Sequence, residues 1–387
     1  MNKIYVHKED KATTALVAVP IGSYYEPQHL KGISHYLEHC VFKGTTKRNY
    51  KEINSYIEQY GGAINACTSE EYTMYHATIA NKHKNKAIDW VTDISTNATF
   101  PNKEIVKEKD VVIQELKMYE DDTDDKLMNI FDHNLYKEDN GFYLPIIGTM
   151  ESLANINKKE LVKWYKTYDN QRTLIVVGDV KSEISYDVPQ VMKNTTDNKD
   201  YLHAQAGHSY FSTDKVQQAH MCIGYEVNLK EFSKTASLYC LEILQLLYGG
   251  LSGRMFTEMR EKHNLTYRTY FTARVQSGGT VKWQVISGLD KKNISKARTI
   301  IENLLSKPVD QKELKSTIRK VLGDYALQYD GTNKIAQLIY GFERIGVSWQ
   351  DYFNDYEGQI NLVKDRVNEF IKAIDFKRNL TVGLVPK

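Results

Sequence analysis

One short apolar stretch gathers three residues whose types and spacing could do chemistry. In Gly32-Ile33-Ser34-His35-Tyr36-Leu37-Glu38-His39-Cys40-Val41-Phe42-Lys43-Gly44-Thr45, two imidazoles and a carboxylate fall within five positions. At about 100° per residue, a helix here would set His35 and His39 about 40° apart and one turn removed, with Glu38 close to the same face. Two histidines at i and i+4 suit a tetrahedral zinc that keeps room for a third ligand and a water, and a neighbouring carboxylate can take that water's proton. The order HxxEH reverses the HExxH arrangement and is the inverzincin pattern. Taken alone, so short a match leaves open a helix whose histidines are solvated or satisfied in a core.

A third ligand should be a carboxylate or histidine on another helix, and EIVKEKDVVIQELKMYEDD supplies a candidate. Glu115 follows Val111, Val112 and Ile113 on a segment apolar enough to be buried, where a carboxylate needs a cation or hydrogen bonds. Glu108, seven residues earlier and about 20° off the same face, is placed to orient a metal-bound histidine. The other readings are a salt bridge at a helix edge for Glu115 and an ordinary solvated face for Glu108.

The elements that must hold these residues repeat. The segment 157–180, NKKELVKWYKTYDNQRTLIVVGDV, resembles 362–385, LVKDRVNEFIKAIDFKRNLTVGLV, as amphipathic helix, polar turn and apolar strand, with Leu161 answering Val367 and Thr173 answering Asn379 at an offset of 206. Residues 86–122 match 296–330 in the same way, with Pro101 and Pro308 each standing between two helices. In both halves a strand precedes a helix, a strand pair follows, and further helices come next. The expected fold class is α+β: two homologous domains, each a mostly antiparallel sheet packed against helices. The expected boundaries are 1–186, then a linker at 187–209 rich in turn formers, then 210–387. The second half has no HxxEH; its corresponding helix reads ASLYCLEILQLLYGG.

Composition narrows the function classes. A length of 387 residues exceeds one ordinary core, and 41% hydrophobic with 26% charged residues is close to the soluble globular average. Lys and Arg (51) nearly balance Asp and Glu (49), so no bulk field favours nucleic acid or anionic membrane, and a peptide or small molecule is the expected partner. Charged residues near the start and the lack of a long apolar run give the expectation of a cytoplasmic protein with no membrane association. Cys40, Cys67, Cys222 and Cys240 are widely spaced and read as reduced thiols.

These residues, with YGGAINACTSEEYT, LPIIGTMESL, LIVVGDV and LYGGLSGRMFTEMREKHNLTY, resemble the pitrilysin, insulin-degrading enzyme and mitochondrial processing peptidase family of zinc endopeptidases over nearly the whole chain. The resemblance implies one zinc per chain on His35, His39 and Glu115, with Glu38 as general base and Glu108 in support. It also implies that Asn65, Ala66 and Cys67 form an edge strand that pairs with substrate backbone, and that Arg260 and Tyr267 approach the scissile carbonyl from another domain. From the residues alone, Asn65 to Cys67 could equally be an ordinary strand after Gly61-Gly62, and Arg260 and Tyr267 a surface ion pair and a core tyrosine.

The function so implied is hydrolysis of peptides or unfolded segments by a zinc-held water that Glu38 activates, with residues 1–186 as the catalytic domain and 210–387 as its non-catalytic copy. A non-catalytic peptide-binding or scaffold subunit of the same fold is the alternative from another class. A dedicated peptide-maturation protease in a partner complex is a second. Because larger relatives join four such domains, a homodimer is expected, with the second domain of one chain facing the metal site of the other.

Overall fold

The structure is a computed structural model that describes residues 1–185, 207–213, 216–328 and 331–387. The first repeat runs β1 (Asn2–His7), β2 (Ala12–Val19), α1 (Ile33–Val41), α2 (Tyr50–Glu58), β3 (Ala63–Thr68), β4 (Thr73–Ala80), α3 (Lys84–Thr96), α4 (Asn102–Asp121), α5 (Thr123–Leu135), α6 (Met150–Asn155), α7 (Lys158–Lys166), β5 (Thr173–Gly178) and β6 (Glu183–Ser185). The second runs β7 (Gly207–Thr213), β8 (Ala219–Asn228), α8 (Lys234–Tyr248), a π-helical stretch Phe256–Lys262, β9 (Thr266–Val275), β10 (Thr280–Leu289), α9 (Ile294–Ser306), α10 (Gln311–Gln328), α11 (Thr332–Ile345), α12 (Trp349–Asn354), α13 (Tyr356–Val363), α14 (Val367–Ile374) and β11 (Leu380–Pro386). Most of the expected linker, 187–206, lies outside the described residues, and 207–209 open β7.

The two sheets share one topology. The first is ordered β3-β4-β2-β5-β1-β6, and the second, read from its far edge, β9-β10-β8-β11-β7. Each contains one parallel pair, β1 with β5 and β7 with β11, and is otherwise antiparallel. Strand β2, ATTALVAV, is buried along almost its whole length, so its continuous apolar run suits a strand covered on both faces. Strand β3 at the sheet edge alternates exposed and half-buried residues instead.

Cut by sequence, the repeats are contiguous; cut by compactness, each unit takes one helix from the other repeat. The first unit comprises Met1–Glu120, Glu138–Asn198 and Tyr329–Arg344, and the second Asp121–Lys137, Lys199–Gln328 and Ile345–Lys387. Helix α5 therefore packs on β8 and β11 in the second unit. There Asp132 accepts from Lys282 Nζ at 2.5 Å and Tyr136 donates to Glu226. Helix α11 joins the first unit, where the Thr332 and Thr14 hydroxyls share a 2.8 Å bond and Arg344 pairs with Glu71. Sequence periodicity cannot show this exchange, because both helices have ordinary amphipathic faces and only packing decides which sheet each one covers.

The core of the first unit joins β2, β4 and β5 to α1, α2 and α3 through residues such as Val17, Tyr75, Leu37, Ile57 and Trp90. Trp90 donates from its indole to Ile53 O at 2.8 Å, which fixes α3 against α2. No described helix is long and apolar enough to cross a membrane.

Candidate metal centre

Helix α1 has no capping side chain at its N-cap position. Its N-cap is Gly32 in the left-handed region (φ 91°), and the free backbone donors are met from a distance: Glu26 accepts from Gly32 N at 2.9 Å and Ser34 N at 2.7 Å. A Cβ on Gly32 would stand 2.3 Å from Ile147 O, so only glycine lets the 145–148 turn lie against this helix start. Glu26 is buried, and burial pushes its carboxyl up to about 7 although Lys31 and the two backbone donors pull it down. Lys31, also buried, donates to Ser23 O and Gly141 O. The buried side of α1 (Ile33, Leu37, Cys40, Val41) then leaves His35, Glu38 and His39 half-buried on the remaining face.

Helix α4 begins just past Pro101, which has no N–H to leave unpaired. Tyr36 on α1 donates its hydroxyl to Ile105 O and so ties the two helices together. Across that seam His35 Nε2 stands 3.7 Å from Glu115 Oε1, and His39 Nε2 stands 3.3 Å from Glu115 Oε2. One ligand atom from each of the three residues lies within 4.8 Å of the others. Behind them Glu108 Oε1 is 2.9 Å from His39 Nδ1, and Lys43 Nζ is 2.7 Å from Glu108 Oε2.

This donor set fits zinc. Two ligands of one tetrahedral zinc stand about 3.3 Å apart, and of the two histidine-to-carboxylate separations one, 3.3 Å, equals that spacing and the other, 3.7 Å, slightly exceeds it. The Glu108 contact places the His39 proton on Nδ1, which leaves the Nε2 lone pair facing Glu115 and His35. The Nδ1 of His35 is buried without a hydrogen-bond partner among the described residues, so no acceptor fixes its tautomer as Glu108 does for His39.

The charges agree with this arrangement. Burial and the nearby His39 hold His35 down at about 3, so its imidazole is neutral. His39 also loses to burial, but Glu108, Glu38 and Glu115 together raise it. Burial would raise Glu108; its bonds to His39 and Lys43 outweigh that and keep it ionised. For Glu38 burial wins and raises the carboxyl, against the pull of Thr68 Oγ1, which donates to Glu38 Oε2 at 2.9 Å. A carboxylate whose proton affinity is raised beside a cluster of donors suits general-base work.

Two expectations about α4 change. Val111 is 50% exposed and Glu115 only half-buried, because the core stripe of this helix is Ile105, Glu108, Val112 and Leu116. Glu108 is accordingly buried, where a charge run had left a solvated face open. Asn65, Ala66 and Cys67 lie on β3 at the sheet edge, and the same strand ends at Thr68 on Glu38. Arg260 and Tyr267 belong to the second unit, so the structure does not join them to the cluster within one unit; the guanidinium lies 4.6 Å over the Tyr267 ring. Tyr267 is 84% exposed, which removes the core-tyrosine reading.

Sequence reasoning missed Glu26, Lys31, Lys43 and Thr68. Lys43 stood in the quoted motif at four residues from His39, a spacing that put it on the same face. Glu26 and Thr68 gave no signal, since a carboxylate that reaches forward over a turn and a hydroxyl at a strand end look ordinary in sequence.

Comparison with known proteins decides the family. Residues 4–146 match the model of insulinase, peptidase family M16, and residues 155–321 match the model of the peptidase M16 inactive domain. A Bacillus subtilis protein named as an uncharacterized zinc protease, YmxG, is 31% identical over 354 residues, 86% of this chain and 84% of that one. The chain belongs to the M16 peptidase family. A probable mitochondrial-processing peptidase subunit beta of Arabidopsis thaliana is 31% identical over 179 residues, 45% of this chain and 33% of that one. Among solved structures, a protease from Helicobacter pylori superposes with a TM-score of 0.85 at 20% identity, covering 99% of this chain and 97% of that one, a likeness of fold. The M16 cluster sits wholly in the first matched region, and the region matched to the inactive domain has no HxxEH.

Proposed function

We propose that the chain is a zinc-dependent endopeptidase acting on peptides or unfolded segments, in which His35, His39 and Glu115 hold one zinc and Glu38 is the base. The observation that carries this reading is the convergence of two imidazole Nε2 atoms and a carboxylate across α1 and α4, with Glu38 beside them and Glu108 fixing His39.

Zinc bound there supplies a Lewis acid that acidifies water and polarises a carbonyl. Glu38 takes the water's proton on the oxygen not held by Thr68, and later delivers it to the leaving amine. Thr68 fixes the direction of that carboxylate, and Glu108 holds the Nδ1 proton of His39 so that the ring keeps one tautomer. Strand β3 offers an open edge for an extended peptide, whose backbone would be delivered toward Glu38; Asn65, Ala66 and Cys67 are the pairing residues.

The same reading assigns the chain to the cytoplasm and to a homodimer in which Arg260 and Tyr267 of one subunit reach the metal site of the other. The exposure of Tyr267 and its stacking with Arg260 favour a role at a contact. The scaffold-subunit alternative is disfavoured by the full set at 35, 38, 39, 108 and 115. A maturation role draws on the partial likeness to the processing-peptidase subunit and shares the same chemistry.

The test combines metal analysis of purified protein with mass-spectrometric mapping of cleavage in a mixed peptide library. One zinc per chain and cleavage that disappears with Glu38→Gln are expected; zinc-free protein that still cleaves would end the proposal. For the shared site, Glu38→Gln and Tyr267→Phe chains, each inactive alone, should regain part of the activity when mixed, and failure to do so would remove the dimer from it.

A further inference from the structure

The second unit carries a polar cluster of its own at the seam equivalent to the one that holds the M16 ligands. Helix α8 follows β8 and packs on edge strand β9, as α1 follows β2 and packs on edge strand β3. Helix α10 lies after Pro308 as α4 lies after Pro101. Between α8 and α10, closed by α12 and α13, is a cleft of about 90 Å³ lined by Glu242, Val321, Asp324, Tyr325, Tyr352 and Tyr356, with two further side chains of α8.

The walls of this cleft are fixed in place. Tyr325 and Tyr356 are stacked, ring centroids 3.9 Å apart at 8°, and Tyr352 stands nearly upright to both, at 68° and 74°. Tyr325 donates its hydroxyl to Tyr352 O at 3.0 Å, and Tyr356 donates to Glu242 Oε2. Tyr239 stacks behind Tyr352 at 22°, fully buried, its hydroxyl without a partner among the described residues. Two carboxylates therefore meet a corner of tyrosine rings, and no lysine, arginine or histidine is among the described residues that line it. Burial pushes Glu242 up to about 7, against the Tyr356 and Tyr352 hydroxyls, with Asp324 adding to the rise.

We propose that this cleft binds a small organic ammonium group, primary or methylated, with Glu242 and Asp324 as its counter-charges and the tyrosine rings as its walls. Two carboxylates, with no cationic side chain among the described lining residues, disfavour an anion. Hard metal cations ask for six or more oxygen ligands, which a wall of stacked rings does not supply. An ammonium is neutralised by the carboxylates, and the aromatic wall, which keeps water away, strengthens that charge pairing. The volume, about three waters' worth, admits a head group and a short alkyl stem. The ammonium could belong to a free amine or to a lysine side chain of a peptide. Nothing in this inference depends on proteolysis.

The test uses the full-length Glu38→Gln chain, so that no ligand is cut. Calorimetry and NMR titration would follow butylammonium, tetramethylammonium, N-acetyl-lysine amide, neutral 1-butanol and calcium. Saturable binding of at least one ammonium is expected, weakened at least tenfold by Glu242→Gln and several-fold by Asp324→Asn. The aspartate variant, at a partly exposed position, carries the test if the glutamate variant does not fold. Binding of N-acetyl-lysine amide as tight as butylammonium would assign the site to a peptide lysine, and binding of free amines alone would assign it to a small amine. Absence of saturable ammonium binding, equal binding of 1-butanol, displacement by equimolar calcium, or affinity unchanged in the folded variants would overturn the proposal.

Discussion

Helices α1 and α8 stand at the same place in two copies of one topology, and both carry a Leu-Glu pair, Leu37-Glu38 and Leu241-Glu242. Three residues before each glutamate lies His35 in one copy and Tyr239 in the other; one residue after lies His39 or Ile243. The long helix across the seam supplies Glu108 and Glu115 in the first unit, and Asp324 and Tyr325 in the second. The scaffold thus sets a glutamate at a helix-helix seam in both units, while its neighbours at i−3 and i+1 and the facing helix decide what the glutamate can do. With imidazoles beside it the seam can take a metal; with tyrosines it becomes an aromatic cleft bearing negative charge.

The largest effect is expected at Glu38. In Glu38→Gln, turnover of any cleaved peptide should fall by about 10³-fold while bound zinc and the unfolding midpoint stay near wild type, because the base is not a ligand. Near-normal turnover would mean that the first-unit glutamate has no special role.

The helix exchange gives the next effect. Asp132→Ala leaves Lys282, which is 3% exposed, without its carboxylate on α5, and denaturant unfolding should show a loss of about 3 kcal/mol. A change within 0.5 kcal/mol, the usual range for surface substitutions, would mean that α5 does not cover the second sheet as described.

A smaller change is expected at Glu108. Glu108→Gln keeps the shape but weakens the hold on the His39 Nδ1 proton, and zinc affinity measured by chelator competition should drop about 10-fold to 100-fold with the fold intact. An unchanged affinity would remove Glu108 from the support of His39.

In the second unit the effect to measure is at Glu242. The Glu242 carboxyl is raised in the folded chain from 4.5 to about 7, so the folded state binds more protons than the unfolded one between those values. Its contribution to stability is present below about pH 4.5 and is lost as pH rises through about 7, on the order of 3 kcal/mol at most. Thermal unfolding from pH 5 to 8 should fall less steeply for Glu242→Gln than for wild type, and parallel curves would show that the glutamate is not held in a protonating environment.

Sequence by itself determined what local pattern and repetition can carry. The i, i+3, i+4 spacing put His35, Glu38 and His39 on one face because helix geometry is the same wherever a helix forms. The 206-residue offset announced two copies of one unit. Glu115 was reachable as a carboxylate just past an apolar run, although the structure leaves it half-buried. Tertiary structure alone decided that Glu26 caps α1 across a turn, that Thr68 holds Glu38, that Tyr267 faces outward, and that α5 and α11 change places between the sheets. Each of those depends on which surfaces meet across many residues of chain, and an amphipathic helix or a strand-end threonine carries no mark of the partner it will find.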